Sequence, residues 1–185
     1  TKPLIKQAWF DPRAVILCED ETVLSSQTTF QKIWLPQGAY PKIEVSNTKQ
    51  NRSIYGFLNL KNGREHAFKT DWQNMRITRD ILKELRKIYP HRKLLLCWDN
   101  PGWHRGKEVI DFIKQDNNIQ VVHFPKYSPE ENPQEHVWKK GRSEATHNST
   151  VNNIDKTADE FVNYLNTNHF YYSLLGFRGQ SDRGV

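Results

Sequence analysis

Lys93-Leu-Leu-Leu-Cys-Trp-Asp99 is an unbroken apolar run that begins on one charge and ends on another. Apolarity without alternation marks a strand buried on both faces, so helices are expected on both sides of its sheet. A second such run, Ala14-Val-Ile-Leu-Cys18, leads into Glu19-Asp20-Glu21. In each strand a cysteine stands two residues before an aspartate, so Cys18 and Asp20 share a face, as do Cys97 and Asp99. If the strands are parallel neighbours, both carboxylates emerge at one sheet edge, where open α/β sheets bind ligands. Two carboxylates there repel unless a cation lies between them, which implies Mg²⁺ or Mn²⁺. The plainer alternative is two acidic strand ends facing solvent. Glu19 and Glu21 flank Asp20 and point to the opposite side of the strand.

Outward from these two runs, the chain reads first as a meander. Lys32 to Leu35 reads as a strand closed by Pro36 and Gly38. Arg52 to Leu60, the Lys61-Asn-Gly63 turn and Glu65 to Lys69 form a hairpin. Alternation follows. Thr78 to Tyr89 places Ile81, Leu82, Leu85 and Ile88 at helical spacing, with Thr78 as N-cap and Pro90 as stop. Gly106 to Gln115 reads as a helix with Val109, Ile110 and Ile113 inward, and Ile119 to Phe124 as a strand. A helix opens near Pro133, and a last one runs from Ile154 to about Asn168, burying Ile154, Ala158, Phe161, Val162 and Leu165. The tail beyond Gly176 is expected to fray. Meander first and alternation afterwards predict an α/β fold, a mixed sheet with helices on its faces. No repeat or linker divides residues 1–185, so one domain is expected.

Composition bounds the function without choosing it. Lys and Arg total 27 against 21 Asp and Glu, a net charge of +6 with an isoelectric point near 9.3. That surplus is a weak first footprint of nucleic-acid binding. Mean hydropathy is −0.81, yet 12% aromatics argue against disorder. Cys18 and Cys97 lie in apolar runs and read as buried, reduced thiols, with no zinc-like spacing. No stretch approaches the roughly 20 apolar residues of a membrane span. A cytoplasmic location is expected, nucleoid-associated if the source is bacterial or archaeal.

A third acid is available in Tyr127-Ser-Pro-Glu-Glu-Asn-Pro-Gln-Glu-His-Val-Trp138. Pro133 suits a first helical turn, Asn132 is then the N-cap, and Glu135 follows at capping-box spacing. Glu135 therefore either caps its own helix or is aimed by it at the two aspartates.

These segments together resemble mariner-like transposases, including their bacterial insertion-sequence branch. Asp99-Asn-Pro-Gly-Trp-His104 resembles the family's DNAxxH motif, and Tyr127 to Trp138 its YSPxxNPxExxW signature. Glu19-Asp-Glu-Thr22 resembles its first-aspartate strand, and Trp34 with Gly38 the element that follows. Thirty-five residues separate Asp99 from Glu135, a gap of the size the family uses. The resemblance covers Val15 to Trp138. Pro101 departs from it, standing where the family usually has Ala.

The resemblance implies a ribonuclease H-like fold, a five-stranded mixed sheet flanked by helices. It implies a catalytic and metal-binding triad of Asp20, Asp99 and Glu135 holding two divalent ions, Mg²⁺ or Mn²⁺, with Asp20 bridging both. The expected reaction is phosphodiester hydrolysis at transposon ends, then strand transfer by a DNA 3′-hydroxyl. The expected partners are double-stranded DNA, both ends and target, and a second copy of the chain in the paired complex. His104 is expected to contact phosphate, orient a ligand or bond to backbone at the helix entry. Lys139, one turn beyond Glu135, and Lys140 and Arg142 are candidate phosphate contacts, against a merely solvated helix face. Glu130 and Glu131 are lesser alternatives for the third acid. Trp34, Trp103 and Trp138 read as packing residues. The family's N-terminal helix-turn-helix is not in this sequence, as expected of a trimmed catalytic domain or a split-frame product. Competing readings are a transposase-derived DNA-binding module that has lost catalysis, and another ribonuclease H-like nuclease.

Overall fold

The computed structural model describes residues 2–26, 38, 50–99, 102–124, 132–146, 153–174 and 176–178. Their elements run α1 (Lys2–Phe10), β1 (Ala14–Ser25), β2 (Asn51–Asn59), β3 (Glu65–Thr70), α2 (Met75–Ile88) and β4 (Lys93–Trp98). They continue with α3 (Lys107–Gln115), β5 (Ile119–His123), α4 (Pro133–Ala145), α5 (Ile154–Thr167) and a two-stranded ribbon, β6 (Ser173–Leu174) with β7 (Phe177–Arg178). The main sheet has the order β3-β2-β1-β4-β5. The meander β1-β2-β3 is antiparallel, whereas β4 joins β1, and β5 joins β4, in parallel. This is the mixed sheet expected. The proposed strand Lys32–Leu35 lies outside the described residues, and so do Trp34, Asn100, Pro101 and 125–131.

Central β1 is why the apolar runs do not alternate. Ile16 and Cys18 face a core filled by α1, α4 and α5, including Ile5, Val137, Trp138, Phe161 and Leu165. Val15 and Leu17 face the opposite core, with Ile81, Leu82 and Leu85 of α2 and Val109 of α3. Burying each such side chain contributes roughly 1.5–3 kcal/mol. Cys18 pairs in register with Cys97, and both are buried free thiols. Burial pushes the Cys18 thiol above its ordinary range, with Cys97 adding to the effect.

The turn from β2 to β3 uses Gly63 at φ +73°, where a Cβ would press on the Tyr171 ring. The exposed flank of β3 is partly covered by α5. There Asn166 accepts from Ala67 N–H at 2.7 Å and donates to its carbonyl at 3.1 Å.

Three details differ from the sequence reading. Helix α2 begins at Met75, capped by Asn74, whose side chain accepts from Arg76 and Ile77 N–H. Thr78 is therefore inside the helix, buried, and its hydroxyl meets Tyr55. Ile110 is 37% exposed rather than inward; Val109 takes the buried place in α3. Helix α1 was not anticipated. Among the described residues no helix is long and apolar enough to cross a membrane.

Candidate active site

Asp20 lies on the α4 face of β1, in the row it shares with Gly56 of β2 and Ala67 of β3. Both neighbours are small because α4 crosses above them. A Cβ on Gly56 would stand 2.0 Å from Gln134 Nε2 and 2.3 Å from Trp138 Cη2. That close approach lets Trp138 Nε1 donate to Asp20 Oδ2 at 3.0 Å. Helix α4 starts where the sequence predicts, with Pro133 in its first turn and Asn132 as cap, the Asn132 side chain accepting from Gln134 N–H. Its far end is tied back to the same strand by Arg142, which donates to the Thr22 hydroxyl and to Val23 O. Arg142 is thus committed to β1 rather than presented outward.

Glu135 sits three residues before Trp138 on this helix and is exposed. The Asp20 carboxyl is pushed up to about 7, chiefly by burial; the Trp138 bond counters this, and the charges of Glu135 and Glu21 add to it. Asp20 and Glu135 therefore lie on one side of the sheet, near enough for their charges to act on each other. Two hard oxygen donors close together fit an Mg²⁺ or Mn²⁺ ion, whose charge would favour the ionised form of Asp20.

Asp99 follows the last residue of β4, two positions beyond the Cys18–Cys97 pair and so level with Asp20; only Asp99 is a strand end, because β1 continues past Asp20 to Ser25, held by its pairing with β2. Its side chain is 57% exposed, with Oδ1 3.8 Å from His104 Nδ1. Burial and the Glu21 charge raise its carboxyl, against His104 and His123. Asp99 here looks toward Glu21 and His104, whereas Asp20 looks toward Glu135.

On the opposite face of β1, as strand alternation requires, stand Glu19 and Glu21. His104 Nε2 lies 3.0 Å from Glu21 Oε1 and 3.6 Å from Glu19 Oε2. Trp103 Nε1 donates to the same Glu21 oxygen at 2.7 Å. Trp98 stacks on His104 with centroids 4.3 Å apart and planes at 21°. His104 is 3% exposed, and its Nδ1, the atom nearer Asp99, makes no hydrogen bond. Lys139 and Lys140 are exposed on α4, with Lys140 Nζ 5.8 Å from the Phe170 ring centroid. Glu130 and Glu131 lie outside the described residues. Sequence reasoning undervalued Glu21, Trp103 and Trp138, whose indoles act as donors to carboxylates as well as packing. The signal was present: Glu21 shares a strand face with Glu19, and Trp103-His104 follow Asp99 within one short loop.

Comparison with known proteins bears on the family and the fold. A family model described as DDE superfamily endonuclease matches residues 15–158. A curated relative, the insertion element IS630 uncharacterized 39 kDa protein of Shigella sonnei, is 20% identical over 153 residues, which are 82% of this chain and 45% of that protein. Among solved structures, the Mos1 transposase paired-end complex with left transposon end superposes with a TM-score of 0.65 at 15% identity, over 91% of this chain and 52% of that one. The Mos1 transposase catalytic domain with Raltegravir and Mg gives 0.58 at 12% identity, over 90% of this chain and 77% of that one. These likenesses identify the fold as that of the Mos1 catalytic domain, ribonuclease H-like. The chain spans about half the length of the curated relative and of the paired-end complex chain.

Proposed function

The chain belongs to the DDE superfamily endonuclease family, and on that footing we propose that it is the catalytic domain of a DNA transposase. Its substrate is double-stranded DNA, first at transposon ends and then at a target. The reaction is phosphodiester hydrolysis followed by attack of the freed 3′-hydroxyl on target DNA. Asp20, Asp99 and Glu135 are the acids that hold two divalent ions, Mg²⁺ or Mn²⁺. When bound, such ions supply Lewis-acid stabilisation of charge developing on the phosphodiester and ease deprotonation of the attacking hydroxyl. The observation that carries this reading is the meeting of Asp20 and Glu135 across β1 and α4, with Asp20 pushed up to about 7 and held by Trp138.

The chain's own groups have separable tasks. Trp138 N–H orients the Asp20 carboxylate, and Arg142 pins α4, with Glu135, onto β1. Glu21, bonded to Trp103 and His104, holds the loop that follows Asp99. The exposed Asp99 side chain is not locked by packing, which leaves it room to turn toward Asp20. Lys139, exposed one helical turn beyond Glu135, meets a DNA phosphate in this reading. Transposition joins two ends, so the working complex pairs two copies of the protein.

The test is Mg²⁺- or Mn²⁺-dependent nicking of DNA carrying the cognate ends, by the full-length protein. Asp99→Ala and Glu135→Ala should each abolish it. Cleavage that survives both changes refutes the assignment of the triad.

A further inference from the structure

The α4 face of β1 carries Asp20, but an enclosed cluster of ionisable groups lies on the other face. Glu19, Glu21 and His104 each offer one ligand atom, and these atoms all lie within 4.8 Å of one another. Glu19 is 0% exposed, and neither of its carboxylate oxygens has a hydrogen-bond partner. His104 Nδ1 is likewise buried and unpartnered. Among the described residues the only basic side chain paired with either glutamate is His104. Two carboxylates in an enclosed pocket, one with both oxygens orphaned, are costly to keep unless something positive sits between them.

We propose that Glu19, Glu21 and His104 bind a divalent transition-metal ion of the Zn²⁺ type, at a site separate from Asp20, Asp99 and Glu135. Two carboxylate oxygens and one imidazole nitrogen suit a borderline ion that accepts mixed donors, whereas Mg²⁺ prefers oxygen and keeps its waters. The spacing agrees. Ligands about 2.1 Å from a tetrahedral ion stand about 3.4 Å apart. The two His104 distances, 3.0 Å to Glu21 and 3.6 Å to Glu19, bracket that value.

The surroundings complete a recognisable second layer. An ion on His104 Nε2 leaves the ring proton on Nδ1, which makes no hydrogen bond and lies 3.8 Å from Asp99 Oδ1. Trp98 stacks on the ring and fixes its plane. Trp103 N–H takes one Glu21 oxygen and so orients that carboxylate. The ion would therefore fasten the loop after Asp99 to β1 from behind the catalytic face. Its role is structural, because the pocket is closed and offers no approach to DNA.

The test separates this site from the catalytic one. Asp20→Asn/Glu135→Gln removes two of the three acids proposed for Mg²⁺ and leaves the cluster intact. Dialysed against Zn²⁺, this double variant should retain one ion per chain, and X-ray absorption at the zinc edge should show one imidazole nitrogen among its neighbours. Glu19→Gln, which keeps the shape of the side chain, and His104→Ala should each weaken retention at least about tenfold. If the double variant retains no zinc, or holds it with oxygen neighbours alone, the cluster carries protons rather than a metal and the proposal fails. Either result leaves the catalytic assignment standing or falling on its own cleavage assay.

Discussion

In the proposed triad a carboxylate is only as good as its orientation, and at Asp20 that orientation rests on one indole. Trp138 Nε1 is the donor to Oδ2, and burial works against the charge that this bond favours. A hydrogen bond to a charged group contributes roughly 1.5–3 kcal/mol. Trp138→Phe should therefore lower metal-dependent cleavage by about tenfold and raise the Mg²⁺ concentration needed for half-maximal rate, with unchanged far-ultraviolet dichroism. A change under about twofold would mean that the bond does not orient the acid.

Glu65 is the other buried acid near α4. Its carboxyl accepts from Gln134 Nε2 at 2.6 Å, and burial pushes it from 4.5 up to about 8. The folded chain thus holds this proton more tightly than the unfolded chain does. The contribution to stability is complete below about 4.5, falls as pH rises, and is lost above about 8. Glu65→Gln, which imitates the protonated acid, should match the wild type near pH 4.5 and exceed it near pH 9 by an amount on the order of a few kcal/mol. Denaturant titration at the two pH values reads this directly, and equal differences at both would contradict it.

At the scale of elements, the site depends on how closely α4 lies on the sheet. Gly56 is the gap that permits it, since a Cβ there would also meet Glu65 Oε1 at 2.6 Å. Gly56→Ala must push α4 outward, separating Glu135 and Trp138 from Asp20. Overpacking of this kind costs roughly 1–3 kcal/mol, and cleavage should fall further than stability does. Full activity in a stable Gly56→Ala variant would show that the approach of α4 is not needed. Asn132→Ala, which removes the cap bond to Gln134 N–H, should cost about 1 kcal/mol in unfolding free energy.

The same elements show what was legible in the chain. β1 and β4 were plain because both of their faces are buried, so neither has a polar side to blur the pattern. α4 was plain because Asn132-Pro133 is a local start signal. The start of α2 was not: Thr78 looks like a cap, but its hydroxyl donates back to the Asn74 carbonyl from within the helix and also meets Tyr55, a tertiary contact that local sequence does not carry. α1 was missed because it has no acidic first turn or basic last turn, and its aromatic end is held from afar, Trp9 stacking on Phe177 at 5.1 Å. At the site, alternation correctly separated Asp20 from Glu19 and Glu21. What it lacked was the loop after β4 folding back to place His104 and Trp103 on Glu21.

At the scale of the whole molecule, a net charge of +6 predicts sequence-independent attraction to DNA that weakens with salt. If Lys139 meets a phosphate, Lys139→Ala should reduce the slope of log affinity against log salt by about one, uniformly across DNA sequences. An unchanged slope would make that lysine a solvated surface charge. The central claim concerns the triad, and a crystal soaked in Mn²⁺ tests it most directly by anomalous scattering. The account predicts manganese held between Asp20, Asp99 and Glu135, with Asp99 turned toward Asp20. Manganese found only away from Asp20 and Asp99 would contradict it.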